Sequence, residues 1–135
     1  MRYPLLLGLK ALLFGLMGSV QAALPPIQTI KKVNPTNKVF KVSGPKKPIL
    51  VKSAEAAANY FDKDALATLK KKVDFSKQFV LIFAWRGSGQ DKIQVAVAES
   101  FPEQIFFSYK RGFTKDLRTH VHIYALRANV KWRLR

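Results

Sequence analysis

Hydrophobic and polar residues follow a helical pattern directly after residue 52. Ser53 is a good N-cap and precedes a stretch rich in helix formers, 54–61. The sequence Asp-Lys-Asp at 62–64 predicts a break or a second cap, followed by more helix. This second stretch carries an apolar stripe and ends in lysines, at Ala65, Leu66, Leu69 and 70–72. We therefore predict a helical region that begins at Ser53.

The apolar run from Phe79 to Trp85 contains β-branched and aromatic residues and is followed by a turn-rich sequence, 87–91. Such a run predicts a central strand that is covered on both faces. Four further strands are predicted after it, at 93–99, 105–110, 119–126 and 130–135. Because the connections are short, successive strands are expected to be antiparallel neighbours. The predicted architecture is α+β, an N-terminal helical region followed by a five-strand antiparallel meander packed on it.

Two of these strands alternate clearly between apolar and polar residues. In 119–126 the even-numbered positions include both histidines, and in 130–135 the odd-numbered positions are all basic. The sheet is therefore expected to pack an apolar face on the helices and to leave a basic, histidine-bearing face toward solvent or a partner. The residues expected to be largely buried are Val80, Ile82, Val95, Val97, Val121, Ile123, Trp132 and Leu134.

The start of the chain has the pattern of a cleavable signal peptide. Arg2 precedes an apolar run, and Val20-Gln21-Ala22 has the small-x-small form of a cleavage site. We predict cleavage after Ala22 and an exported protein, periplasmic or extracellular. The predicted organisation is a signal peptide at 1–22, a Pro/Lys-rich lead-in or tether at 23–47 with a strand around 38–42, and a single α+β domain at 48–135.

Charge narrows the choice of partners. The chain has 24 Lys or Arg against 8 Asp or Glu, two His and no Cys. Removing the leader takes away Arg2 and Lys10 and no acidic residue, so 22 basic residues remain against 8 acidic ones, a net charge of +14. The absence of cysteine excludes disulfides and a lipid-modified cysteine. A charge of this size predicts attraction to anionic surfaces.

Basic residues concentrate toward the C-terminus, where neighbouring strands are expected to gather them into one anion-binding or partner-binding face. These residues are Arg111, Lys115, Arg118, Arg127, Lys131, Arg133 and Arg135. The expected partner is an acidic envelope protein or an anionic polymer, with membrane contact only peripheral. The segment 106–113 begins like an RNA-recognition strand, but 114–116 departs from that motif, so no specific nucleic acid is expected.

Two constellations have residue types that can carry chemistry. His120 and His122 lie on one side of a strand at a spacing that metal sites use, but a third ligand must come from elsewhere, with Asp91, Glu99 and Asp116 as the candidates. Ser88 with Asp91 and a histidine supplies the residue types of a hydrolytic triad, but Gly-Ser-Gly at 87–89 is more typical of a tight hairpin with glycine at positive φ. We expect two surface or rim histidines, no catalytic residue and no cofactor.

The order of Ile49-Leu50-Val51, a helix from Ser53, the sequence Val-Asp-Phe at 73–75 and an apolar strand ending near Arg86 resembles the PrcB-like domain of small exported bacterial proteins. The resemblance covers residues 48–97. The turn at 87–91 departs from the glycine pair and aromatic residue usual in that family. The segments 85–91 and 112–120 resemble an uncharacterised group of exported bacterial proteins. The PrcB-like resemblance implies an accessory, non-catalytic role in a protease complex or other exported assembly, without a cofactor.

Together these patterns predict an exported, non-catalytic binding or accessory module of the cell envelope that docks on an acidic partner through a basic sheet face. The alternative is a small metal-dependent or hydrolytic enzyme that uses His120 and His122. A third hypothesis is a cationic protein that acts on membranes through charge alone.

Overall fold

The computed structural model describes residues 24–135, so the predicted signal peptide and its cleavage site lie outside the described residues. Within residues 24–135, no helix is long and apolar enough to cross a membrane. The elements in chain order are β1 (Ile27–Ile30), α1 (Val39–Val42), β2 (Ile49–Val51), α2 (Ala54–Ala57), α3 (Lys63–Lys72), β3 (Gln78–Gly87), β4 (Lys92–Ala98), β5 (Gln104–Lys110), β6 (Arg118–Arg127) and β7 (Lys131–Leu134).

Side-chain caps determine where the two helices of the predicted helical region begin. The Ser53 side chain accepts a hydrogen bond from the Ala56 N–H at 3.1 Å, which caps α2. The Asp62 carboxylate accepts from the Ala65 N–H at 2.8 Å and caps α3. The predicted helix start and the break near residue 62 are therefore confirmed.

The strands form two sheets rather than one meander. β1, β6, β3 and β2 form an antiparallel sheet in that order, while β4, β5 and β7 form a second sheet in which β5 and β7 are parallel. Of the five predicted strands, only β4 and β5 are both consecutive and paired with each other. The predicted five-strand antiparallel meander is therefore wrong, although the predicted positions of its five strands agree with β3 to β7.

Both faces of β3 are apolar and need cover, and this need explains the architecture. Val80, Ile82 and Ala84 belong to a core formed with the helices, while Leu81, Phe83 and Trp85 belong to a core formed with the second sheet. A meander packed only on the helices would leave the second set in water. The chain therefore leaves the first sheet after β3 and folds β4, β5 and β7 over its other face. As predicted, β3 is a central strand that is covered on both sides.

Burial of the predicted core residues follows from this arrangement. Val80, Ile82 and Ile123 are buried, and Trp132 and Leu134 are partly buried. Val95, Val97 and Val121 are exposed, by 37%, 40% and 37%, and their predicted burial is wrong. The two β4 valines lie on an outer strand, which has a neighbour on one side only. Val121 lies on the helix-facing side of β6, nearer the start of the strand than the buried Ile123 and Ala125.

The described part of the predicted lead-in, 24–47, packs on the rest of the chain. β1 pairs with β6 along its whole length, and Val33 and Val39 are buried in the helix-side core. The Ser43 hydroxyl accepts from the Ala84 N–H at 3.0 Å and donates to the Ile82 carbonyl at 3.1 Å. The strand expected around 38–42 is wrong, because this short apolar segment forms the helical turn α1.

Candidate functional site

The turn between β3 and β4 interlocks with the loop between β5 and β6. The Gly112 N–H donates to the Asp91 carboxylate at 2.7 Å, and the Thr114 N–H donates to the Ser88 hydroxyl at 3.1 Å. In the opposite direction, the Gly89 N–H donates to the Asp116 carboxylate at 3.0 Å. The two segments therefore hold each other in place through backbone and side-chain bonds.

Glycine is used here for close approach and not for its backbone freedom. No glycine between residues 24 and 135 has a positive φ, so the predicted positive-φ glycine in the 87–89 turn is wrong. A methyl group on Gly112 would lie 2.6 Å from the Ser88 hydroxyl oxygen and 2.7 Å from the Gln90 backbone carbon. The contact between the two segments depends on the missing side chain at this position.

Asp91 is the buried anchor of this region, with 6% of its surface exposed. Besides Gly112, it accepts hydrogen bonds from the Trp85 indole N–H and the Tyr109 hydroxyl, each at 3.0 Å. The Gly112 N–H is the largest cause that holds the pKa of Asp91 below its usual value, and the two side chains add to it. Burial and the Asp91 carboxylate raise the pKa of Tyr109. This carboxylate is therefore occupied by three donors.

The histidines lie on the side of β6 that faces the second sheet, and not on a solvent-facing basic side as predicted. The Trp85 ring stacks on both imidazoles, with centroid distances of 4.8 Å to His120 and 5.4 Å to His122. His120 Nε2 donates to the Ser88 carbonyl at 2.7 Å. His122 is half-buried, and its Nε2 has no hydrogen-bond partner within the described chain. The second sheet, absent from the predicted meander, is the reason for the difference.

These positions bear on the metal and triad hypotheses. Residues 24–135 contain no group of three or more His, Cys, Asp and Glu side chains placed to hold a metal ion. The Ser88 hydroxyl is hydrogen-bonded to the Thr114 hydroxyl, and His120 reaches the Ser88 carbonyl rather than its hydroxyl. The fold therefore brings Ser88, Asp91 and His120 into one region but does not align them as nucleophile, base and orienting acid.

An open cleft of about 880 Å³ borders the interlocked segments. Its walls include the rings of Trp85 and Tyr109 and the cationic side chains of Arg86, Arg111 and Lys115. Neither histidine lines this cleft. A concave site built around the histidine pair, which the enzyme hypothesis needs, is therefore not what the cleft provides.

Burial of His122 predicts a pH-dependent stability. Burial lowers the pKa of His122 below 6.5, and the charge of His120 lowers it further. Because the folded-state pKa is depressed, the stabilisation is present above the unfolded value of about 6.5 and is lost as the pH falls toward the folded value. We expect the free energy of unfolding, measured in urea, to decrease as the pH is lowered from 7.5 to 5.

The variant His122→Phe should remove much of this fall, because an uncharged ring then occupies the same stack. His120→Gln removes only the smaller of the two causes, so it should keep most of the fall, because His122 stays buried between the sheets. An equally steep loss of stability in wild-type protein and His122→Phe would contradict the role given to His122.

The predicted basic residues fall into three places rather than one face. Lys131, Arg133 and Arg135 lie on the outer side of the second sheet, and Arg111, Lys115 and Arg118 lie at or next to the β5–β6 loop. Arg127 is different, because it forms an ion pair with Glu103 and donates to the Leu24 carbonyl at 2.9 Å. We therefore assign Arg127 a structural role. Arg118 pairs with Asp116 at 3.1 Å, between exposed side chains.

Strand register adds two cations to the outer side of the second sheet. Lys92 lies opposite Lys110 across β4 and β5, and Phe106 lies beside Arg133 across β5 and β7. Residues paired in this way share a side of the sheet, and the alternate residues Ile105 and Phe107 are buried in the inter-sheet core. We call the outward set the basic face: Lys92, Lys110, Lys131, Arg133 and Arg135 around Phe106.

Sequence reasoning missed Lys92 and Lys110 in this set. The signal was present for Lys110, which alternation in the predicted strand 105–110 places opposite Ile105, Phe107 and Tyr109, whereas Lys92 lies just before the predicted strand 93–99. Assigning both strands and the last strand to one separate sheet requires the long-range pairing of β5 with β7.

No protein-family model, curated protein or solved structure matches the chain. The resemblance of residues 48–97 to the PrcB-like domain therefore stays a prediction from short motifs, and the function of this protein is inferred from its own surfaces.

Proposed function

We propose that this protein is an exported, non-catalytic binding or accessory module of the cell envelope that docks on an acidic partner through the basic face. The signal-peptide pattern at 1–22 supports export, and the basic face supports the kind of partner. The observation that carries the proposal is the grouping of five exposed cations, four on strands that contain no acidic residue and Arg135 directly after β7.

The charges of the basic face are not neutralised within the described chain. Residues 24–135 form two ion pairs, which use Arg118 and Arg127, and neither involves the basic face. Lys92 and Lys110 lie directly opposite each other, an arrangement of like charges that destabilises a sheet. Carboxylates of a partner would offset this repulsion, which gives an acidic partner a specific advantage at this face.

Phe106 holds two of the cations in a fixed arrangement. The guanidinium carbon of Arg135 lies 3.9 Å from the centre of the Phe106 ring, and that of Arg133 lies 5.7 Å from it. A guanidinium that stacks on a ring keeps its N–H donors at the edge, where they can bind a carboxylate in a two-pronged geometry. An arginine that stays on the ring loses less side-chain freedom when it binds a carboxylate.

The experiment compares two triple variants that remove the same charge from different surfaces. Lys131→Gln, Arg133→Gln and Arg135→Gln remove three cations of the basic face. Lys63→Gln, Lys70→Gln and Lys71→Gln remove three exposed cations of α3 and serve as the matched control. Binding to poly-L-glutamate is measured by titration calorimetry across a salt series, with thermal melting to check that both variants fold.

We expect the basic-face variant to bind poly-L-glutamate at least about tenfold more weakly than wild type and to show a shallower salt dependence. The affinity of the α3 variant should stay within about threefold of that of wild type, because the three lysines that it loses lie in the helical layer and not on the basic face. Equal losses in the two variants would overturn the proposal, because the attraction would then follow net charge and not the basic face.

A further inference from the structure

The β5–β6 loop carries two apolar side chains that are exposed to solvent. Phe113 is 91% exposed and Leu117 is 74% exposed. We call the segment 112–117 the apolar tip. Burying large apolar side chains is the main source of folding free energy, so two such residues left outside the core are available for another surface.

The apolar tip is held in place by hydrogen bonds. The N–H groups of Gly112, Phe113 and Thr114 donate in turn to the side chains of Asp91, Gln90 and Ser88, at 2.7, 3.1 and 3.1 Å. Three consecutive backbone donors of the loop are therefore fixed on the β3–β4 turn. The backbone position from which the Phe113 ring extends into solvent is therefore fixed by these bonds.

Cations surround the two apolar residues. Arg111, Lys115 and Arg118 are exposed at or beside the apolar tip, and Asp116 is the one acidic residue among 111–118. The Asp116 carboxylate is occupied by the Gly89 N–H and by Arg118 Nε at 3.1 Å. Hydrogen bonds from Thr114, Gly89 and Arg118, in that order of size, lower the pKa of Asp116 to about 2. Arg111 and Lys115 take part in neither of the two ion pairs of residues 24–135.

We infer that the apolar tip is a membrane-attachment element that inserts Phe113 and Leu117 into the headgroup region of an anionic lipid bilayer. Arg111 and Lys115 then lie level with the lipid phosphates. Apolar side chains flanked by cations are the combination that binds anionic membrane interfaces. A specific protein partner is a poorer fit, because two exposed side chains of one short loop fall far short of the roughly 800 Å² per partner of a stable protein interface. A bilayer requires no matching shape.

This inference rests on Phe113 and Leu117 and does not depend on the proposed function, although Lys92 and Lys110 of the basic face border Phe113. The apolar tip follows the last residue of β5, so it lies at one end of the β4–β5 pair. The basic face covers the outer side of the same sheet. Lys131 and Arg133 pair with Gln104 and Phe106, toward the other end of β5, so a protein attached through the apolar tip keeps these cations free for an acidic partner.

Phe101 offers a matched control within the same protein. It is 96% exposed, slightly more than Phe113, but it lies in the hairpin that joins β4 to β5. Because β4 and β5 are antiparallel over seven residues each, this hairpin is at the opposite end, roughly 20 Å from the apolar tip. Phe101 therefore does not reach the bilayer in which the apolar tip is inserted.

The test measures binding to vesicles of 30% phosphatidylglycerol in phosphatidylcholine by the protein as its host produces it. We expect wild type and Phe101→Ser to bind with equal affinity, and the double variant Phe113→Ser, Leu117→Ser to bind at least about tenfold more weakly. Vesicles of pure phosphatidylcholine should bind all three much more weakly, because the cations then lack anionic headgroups. Thermal melting checks that the double variant folds, as is expected for changes at exposed positions.

Insertion itself is tested by placing a fluorophore at the tip. Phe113→Trp should show a blue shift and quenching by brominated lipid when anionic vesicles are added, while Phe101→Trp should show neither beyond the wild-type background from Trp85 and Trp132. Equal vesicle affinity of the double variant and wild type, as expected if the tip serves a protein partner, would overturn the inference. So would absence of wild-type binding, or an unshifted Phe113→Trp.

Discussion

Replacing Ile82 with Ala is expected to lower the free energy of unfolding by about 2 to 5 kcal/mol. Ile82 is fully buried at the centre of a row of isoleucines that crosses all four strands of the larger sheet, formed by Ile30, Ile123, Ile82 and Ile49. Removing its branched side chain loses apolar burial and leaves a cavity that flanking strands cannot close without giving up their register.

The measurement is urea unfolding of the variant beside wild type and a control, Leu50→Ala. Leu50 lies on the edge strand β2 and is 45% exposed, so we expect this change to cost less than about 1 kcal/mol. If Ile82→Ala unfolds at the same urea concentration as wild type, β3 is not the central strand of this sheet.

Replacing Asp91 with Ala is expected to lower the melting temperature by roughly 5 to 10 °C. The change removes the acceptor of three donors, the Trp85 indole N–H, the Tyr109 hydroxyl and the Gly112 N–H. Buried donors without a partner destabilise a protein by more than an average hydrogen bond contributes. The β5–β6 loop also loses its closest attachment, so the variant should be cut by protease near residue 113 faster than wild type.

Two further variants make this prediction specific. Asp91→Asn keeps the shape and one acceptor oxygen, so its melting temperature should fall between those of wild type and Asp91→Ala. Glu99→Ala removes an exposed carboxylate at the far end of β4 and should change stability by less than about 0.5 kcal/mol. If Asp91→Ala and Glu99→Ala have the same melting temperature, the buried carboxylate does not anchor the two segments.

The contribution of the Asp91 carboxylate to stability should decrease at acidic pH. The pKa of Asp91 is lowered in the folded protein, mainly by the Gly112 N–H. The ionised carboxylate therefore stabilises the fold above the unfolded carboxyl pKa of about 3.9, and this contribution is lost as the pH falls through the folded value. This range lies below that of His122, so the two groups act on separate parts of a stability profile.

Predicting the candidate sites from sequence succeeded only in part. The concentration of cations near the C-terminus was visible in the sequence, but their division among the basic face, the apolar tip and the Glu103 pair of Arg127 was not. Charge alone does not say which cation meets an internal carboxylate. Nor did the loop sequence reveal the exposure of Phe113, because an aromatic residue between polar neighbours has the same pattern whether it packs or protrudes.

The sequence by itself determined the elements whose signals are local. Ser53 and Asp62 fix their helix starts through bonds to residues three positions away. The unbroken apolar run of β3 already required cover on both faces, whatever the partners. Tertiary structure decided which strands pair, that β5 and β7 run parallel, and that a second sheet covers the histidine side of β6. These outcomes depend on contacts between residues far apart in the chain, and a short connection does not reveal whether the next strand stays in the same sheet.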